Sequence, residues 1–589
     1  MKRIIFTIIM AIILAGGTLF AACAPKPAPT PTPAPTPTPT PAPAPAPKPS
    51  PAPAPAPKPE GPVYGGALRI TSRDDPPSYD PMRATANRIQ AHTSAVFNGL
   101  VRTDPMKEEV LVENMIPDLA EKWDISYDGK IYTFYLRQGV KYHDGEPFTA
   151  EDVKYSLDKY RDPAYSIFAA TVEPIEKVEI VDDYTVKVYL KHAYPEFLAM
   201  IAPPFCSMQP AHLKDVSPRD PEYLTGTGPF KFKSRIPGKV SIYERNPDYF
   251  IEGLPYLDEY QTYFMGSGPS IDAFVAGRLD LGGTLRQYLT GMSNIKKVKQ
   301  FAPEAGIEFK TTGGTRGIIF NLEREGPWQD LRVRQAMTMV VDYEGTVIAA
   351  VGGTCEETGY VSPAGYLPFG LPEALPQAEV TKLLGADKSM EERITAAKAL
   401  MAEAGYLDGF SANLICRNAA SLKNPSLFLQ DLWKRALNID VKVDVLDPTL
   451  FYDRHDSGQF DLAAIDILPL TGASLSEFLG FGVTGDFRNA GKWSNAEYDE
   501  IYTQLLFETN PQKRIELAHK LQMILFSDLP YAPYHGTAFG ICWRPDLMTG
   551  WPPEQGTVLQ MGATTLMSID RVWLANTPDA EKWIKTQKK

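Results

Sequence analysis

Ser156 and Lys159 lie three positions apart in VKYSLDKY, the spacing at which a lysine activates a serine nucleophile. Such chemistry needs S-D-N and K-T-G companions, and neither tripeptide occurs in the 589 residues. The competing reading makes both surface residues of an amphipathic helix. Metal chemistry would need clustered ligands. The seven histidines (His92, His143, His192, His212, His455, His519 and His535) are scattered with no ligand spacing, so no metal site is expected. Cys206, Cys355, Cys416 and Cys542 allow up to two disulfides in three pairings, but none lies in a CxxC, and free buried thiols are the other reading. P-loop, HExxH and GxSxG patterns are missing. A large α/β chain without nucleophile, metal cage or phosphate cradle is expected to be a binder, not an enzyme, and to need no cofactor.

The elements that would position a site alternate between strand and helix. Lys122–Ser126 and Ile131–Leu136 form a predicted hairpin around Asp128-Gly129, and Lys177–Leu190 a second that turns at Asp182-Asp183. Helices are expected where a side chain can cap free amides: Thr149 with Asp152, Ser389 with Glu392, Ser494 with Glu497, and Asn510 ahead of Pro511. After Ser389, residues Ile394, Ala397, Leu400, Met401 and Ala404 share one apolar face, and Gly405 can close that helix. The subdomains show no internal repeat and no low-complexity linker beyond Pro59, so they are expected to be interwoven.

The N-terminus carries an address. Lys2 and Arg3, the apolar run Ile4–Leu14 and Phe20-Ala21-Ala22 compose a signal peptide over positions 1–22. The small residues before Cys23 resemble a bacterial lipobox, so Cys23 is read as the lipid-bearing first residue of the mature chain. An ordinary cleaved signal with an incidental cysteine, or an uncleaved anchor helix, are the alternatives. From Ala24 to Pro59 every odd position is proline, which fixes φ and removes every second amide donor. At roughly 3.1 Å per residue these 36 residues could hold the body up to about 110 Å from the membrane, and with Cys23 and Glu60 the tether is taken as 23–60. The remaining 530 residues, Glu60–Lys589, exceed one core. Loss of Lys2 and Arg3 takes the formal net charge from −12 to −14, which argues against a nucleic-acid partner.

Several collinear motifs carry a resemblance. They include GGALRI from Gly65, DPPSYDPMR from Asp75, VFNGL from Val96 and PDLAEKW from Pro117. TFYLRQGVKYHDGEPFTAEDVKYSL from Thr133, GTGPF from Gly226, ERNPDY from Glu244 and DLRVRQA from Asp330 follow, then AEAGY from Ala402 and FDL from Phe460. Through these the chain resembles the family-5 extracellular solute-binding proteins, receptors of ABC importers for peptides and nickel. The resemblance implies an α/β fold of two periplasmic-binding-protein-like lobes (class II type) with an extra α/β subdomain. Lobe I would take 61–100, 225–314 and 540–589, the extra subdomain 101–224, and lobe II 315–539. His143 is read as a structural turn residue, Gly226 and Gly228 as positions of unusual φ/ψ, and one of Arg332 and Arg334 as a scaffold ion pair.

By the same resemblance the chain is a monomeric receptor tethered to the cell membrane through Cys23, in the periplasm or on the outer face. It would capture a peptide, a peptide-like compound or another small organic solute in an interlobe cleft and deliver it to ABC permease subunits. A sensor of the same fold and a secreted hydrolase are the alternatives. Ligand contacts are expected from Thr85 and Asn87, from Tyr452, His455, Asp466, Leu468, Leu470 and Thr471, and from His535 and Thr537. In peptide-binding members an aspartate pairs with the ligand's α-ammonium, and Leu470 aligns with it here. An ammonium buried without a carboxylate costs several kcal/mol, so a free peptide N-terminus is disfavoured unless Asp466 substitutes.

Overall fold

A computed structural model describes residues 64–72, 75–76, 78–83, 92–104, 112–169, 171–202, 206–216, 221–282, 291–467, 475–486, 488–544, 547–549 and 572–574. Three larger sheets organise them. The first places Ala67–Ser72 parallel to Glu259–Phe264, followed by Val240–Arg245 and Phe230–Ile236 in antiparallel order. The second is a meander of Ala120–Ile125, Ile131–Leu136, Thr185–Leu190 and Ile175–Asp182, in that spatial order. Both expected hairpins are therefore neighbours in one sheet, with Gly129 at φ +67° in the first turn. The helix Ala150–Tyr160 packs its buried Val153, Leu157 and Tyr160 on that sheet.

The third sheet has six strands, in the order Leu281–Gly282, Tyr531–Trp543, Gly306–Phe320, Leu462–Ile467, Ser411–Arg417 and Asp440–Leu446. Its last three strands run parallel to one another and carry the largest hydrophobic core, built around Leu414, Ile415, Trp433, Leu462 and Ala463. Gly306–Phe320 and Tyr531–Trp543 pair with each other along almost their whole length. At one end they adjoin Leu281–Gly282, at the other Leu462–Ile467, and because these fall in the two lobes expected above the pair is called the crossing strands. Their register breaks twice, between Thr311 and Thr315 and between Arg316 and Gly317.

The local signals have the expected physical basis, with three corrections. Asp152 accepts the Thr149 backbone N–H at 2.8 Å, Glu392 that of Ser389 at 2.9 Å, and Asn510 caps Lys513 N–H at 3.1 Å. At the third expected box the cap is Asn495, which accepts Tyr498 N–H at 3.0 Å, because the Ser494 hydroxyl is engaged with Thr484 at 3.1 Å. Gly226 and Gly228 do not take positive φ; a Cβ there would lie 2.0 Å from the Val96 carbonyl oxygen and 2.5 Å from its carbonyl carbon, so close backbone approach demands glycine. Ser156 is buried, not on the surface: its hydroxyl accepts the Gln209 N–H at 2.8 Å, while Lys159 turns to the Tyr155 hydroxyl at 2.6 Å.

The meander is fastened to the segments around the first sheet. Asp118 accepts two bonds from the Asn98 amide at 3.0 and 3.1 Å, and Thr227 donates to Asn98 Oδ1 at 3.1 Å. His143 donates from Nε2 to the Gly228 carbonyl at 3.0 Å, and Tyr165 to Asp80 at 2.6 Å. His143 is thus a scaffold residue, and Arg332 makes the expected ion pair, with Asp330 at 2.6 Å. The four cysteines are free thiols. Among the described residues no helix is long and apolar enough to cross a membrane.

Candidate functional site

Ligand sites in open α/β sheets form beyond the carboxyl ends of the parallel strands. Two of those ends carry charge here: Arg417 is the last residue of Ser411–Arg417, and Asp466 the penultimate residue of the parallel neighbour Leu462–Ile467. The latter strand is buried at Leu462, Ala463 and Ala464 and half-buried from Ile465 onward, so it emerges from the core as it reaches Asp466. On its other side Arg316 stands in register with Asp466 and, across the second crossing strand, with His535. Gly317 beside it admits no side chain, since a Cβ would sit 2.3 Å from the Ala532 carbonyl oxygen.

Both oxygens of Asp466 are occupied. Arg316 Nε donates to Oδ1 at 2.5 Å, and Arg417 Nη2 donates to Oδ2. Burial raises the Asp466 pKa, but the two guanidinium groups outweigh it and hold the carboxyl below its ordinary 3.8. Burial likewise opposes the charge on Arg316, and Asp466 more than restores it. With one carboxylate between two guanidinium groups, the cluster carries a net charge of +1. Arg417 lies 5.9 Å from the Phe451 ring centre and 5.7 Å from that of Tyr452, and its Nε is buried without a hydrogen-bond partner. The Tyr534 hydroxyl is also buried without one, and its pKa is raised by burial. Arg316 Nη1 is 3.5 Å from the Tyr360 hydroxyl.

His535 completes the group in a defined tautomer. Thr346 donates its hydroxyl proton to the Tyr343 carbonyl at 2.6 Å, so towards His535 Nδ1, 3.0 Å away, it can only accept. The proton therefore sits on Nδ1, and Nε2 presents a bare lone pair with no donor opposite it. Burial, aided by Arg316, lowers the His535 pKa well below 6.5, so the ring is neutral.

Of the expected contact residues, Asp466, His535 and Tyr452 lie around this cluster. Thr537 sits on the same crossing strand as His535, its hydroxyl donating to the Gly314 carbonyl at 3.3 Å. His455 is packed between the rings of Phe451 and Phe460, at 5.5 and 5.7 Å, with Nδ1 on Asp456 at 2.7 Å. Thr85, Asn87, Leu468, Leu470, Thr471 and Cys23 lie outside the described residues. Sequence reasoning missed Arg316, Arg417, Tyr360 and Tyr534. The signal available for the first two was a charge set at the edge of an apolar run, TRGIIF and NLICR. Among the described residues no group of three His, Cys, Asp or Glu could hold a metal ion.

The profile of bacterial extracellular solute-binding proteins, family 5 (middle region), matches residues 114–481. The chain belongs to this family. It is 26% identical over 493 residues to the probable deoxycholate-binding periplasmic protein YgiS of Escherichia coli K12, covering 80% of this chain and 87% of that one. To the dipeptide-binding protein DppE of Bacillus subtilis 168 it is 25% identical over 498 residues, covering 80% and 86%. The substrate-binding protein CtaP of Listeria monocytogenes shares the fold, with a TM-score of 0.72 at 21% identity over 87% of this chain and 99% of that one. The fold is accordingly the two-lobe, mixed α/β one of the binding proteins, and these relatives are named for what they bind rather than for a reaction.

Proposed function

We propose that this member is the lipid-anchored, extracytoplasmic receptor of an ABC importer, and that it captures a small solute by an anionic group and delivers it unchanged to the permease. In this reading the chain works as a monomer with lobe I at 61–100, 225–314 and 540–589, the meander subdomain at 101–224 and lobe II at 315–539. Cys23 carries the lipid, and 24–59 is the spacer. The observation that carries the ligand class is the Arg316–Asp466–Arg417 cluster, cationic overall and set at the carboxyl ends of parallel strands beside both crossings. A carboxylate on the ligand would restore neutrality and meet the partly exposed Arg417 guanidinium in charge-assisted hydrogen bonds. A ligand ammonium would meet a cluster that is cationic overall, in which each Asp466 oxygen already accepts from an arginine, and this agrees with leucine at position 470. Relatives named for deoxycholate and for dipeptides support the class, since both compounds carry a carboxylate.

Native mass spectrometry of the purified protein should show a co-purified acid of unchanged mass after denaturation. By calorimetry, its amide or methyl ester should bind about 10–100-fold more weakly. Equal affinity of acid and amide would remove the anion reading, and recovery of a cleaved product would turn the assignment to a hydrolase. Cys23→Ala should release the protein from membranes; a variant that stays bound and retains residues 1–22 would overturn the lipid anchor.

A further inference from the structure

The meander subdomain is bonded to the first lobe, so relative to lobe II the two move as one body about the paired crossings. Away from those crossings a second bridge joins the two bodies. Glu196, 6% exposed, reaches from the meander subdomain into lobe II, where Arg514 Nη2 donates to its Oε1 at 2.7 Å and Ser476 Oγ to its Oε2 at 3.0 Å. The Tyr194 and Ser476 hydroxyls are 3.5 Å apart, and the His192 ring meets Phe507 edge-on at 4.5 Å.

Lobe II holds its half of the bridge ready. Arg514 Nη1 donates to the carbonyls of Leu505 and Glu508 at 3.0 and 3.3 Å, which leaves Nη2 aimed at Glu196. The Ser476 carbonyl accepts the Tyr502 hydroxyl at 2.9 Å, fixing the turn that presents its side chain. No covalent connection of the sheet requires this contact. Ion pairs desolvated between separate bodies contribute little as general glue, but they fix which surfaces meet.

We propose that Glu196 is a closure latch: it docks on Arg514 and Ser476 when the lobes come together and releases both to water when they part. The latch biases the open–closed equilibrium without touching ligand, so it goes beyond the receptor reading.

Small-angle scattering on the full-length protein, freed of ligand by unfolding and refolding, tests this. Glu196→Gln should shift the population towards the open form by on the order of tenfold, seen as a larger radius of gyration. Amide exchange should speed up in 192–197 and 475–479. Arg514→Lys, which keeps a cation opposite Glu196, should move both readouts less than Glu196→Gln does. Both variants should keep the parent melting temperature to within a few degrees. Unchanged radius and exchange in Glu196→Gln, or a radius that grows only because the variant melts, would overturn the latch. Because no ligand enters this measurement, its failure leaves the receptor assignment standing, and failure of the acid-versus-amide test leaves the latch standing.

Discussion

Two aspartates each lie between two arginines, and the two clusters differ in how the carboxylate is held. At the edge of the first sheet, Asp280 takes Arg69 Nε and Nη2 at 3.0 and 2.7 Å, Arg544 Nη1 at 2.6 Å, and also the Arg69 backbone N–H at 2.7 Å. Its own N–H donates to the Arg69 carbonyl, and Arg544 N–H to its carbonyl, so the ions are stitched into the strands. Asp280 and Arg544 are almost completely excluded from water, at 0% and 1%. In lobe II the carboxylate of Asp466 is held by side chains, and the Arg417 side chain is 24% exposed. The first arrangement is a rivet. In the second the carboxylate accepts from side chains alone and the outer arginine is partly exposed, so that arginine can exchange a partner. Burying charge for stability and presenting charge for recognition therefore need the same residue types, and what separates them is how many main-chain bonds hold each group.

The largest effect expected from this difference is on stability. Asp280→Asn strands the buried Arg544 guanidinium and the partly exposed Arg69 one, and should cost about 3–5 kcal/mol in urea unfolding. Asp466→Asn should cost less, about 2–3 kcal/mol, because Arg417 can turn to solvent and Arg316 can keep a neutral bond to the new amide oxygen, and it should tighten binding of the co-purified acid. Equal losses at the two sites would abolish the distinction.

Acid should act on both lobes through buried neutral histidines. Burial lowers the His92 pKa to about 3 in lobe I, and His535 is lowered well below 6.5 in lobe II. Both native values are depressed, so below pH 6.5 the unfolded chain binds protons that the native state refuses. Stability present above that pH is then lost on acidification by about 1.4 kcal/mol per unit and histidine. His535→Asn should flatten the slope of unfolding free energy between pH 6.5 and 5 by that amount. Asp466 is depressed as well: its contribution is full above the unfolded value near 3.8 and is lost progressively as the pH falls from there through its lowered native value. A slope unaffected by His535→Asn would show the ring to be charged or exposed. The smallest effect belongs to Tyr452, 44% exposed beside Arg417: Tyr452→Ala should change stability by less than about 1 kcal/mol while weakening the acid several-fold.

What was legible in the sequence was local. Thr149 and Asp152, or Ser389 and Glu392, lie three residues apart, so their geometry follows from one helical turn, and His143 in its His-Asp-Gly turn was recognisable as scaffold for the same reason. The charged cluster was not legible. Arg316 lies 150 residues from Asp466 and Arg417 lies 49 from it, and only strand register brings them together. Asp466 was placed at the site by family position, but its two partners, which decide the sign of the charge presented, could not be read from one dimension. The glycines at 226 and 228 show the same limit, since what excludes a Cβ is Val96, far away in the chain.

The two crossings, Gly306–Phe320 and Tyr531–Trp543, are hydrogen-bonded to each other as they pass between lobes. A single strand would let the lobes swivel freely; a two-stranded ribbon resists shear and torsion, and yields mainly where its ladder is interrupted, at 311–317. In the receptor reading proposed above, opening would then reduce to rotation about one axis, and the occupancy of the cleft would be encoded in a single angle that a membrane partner could read from the outer surfaces of the lobes alone.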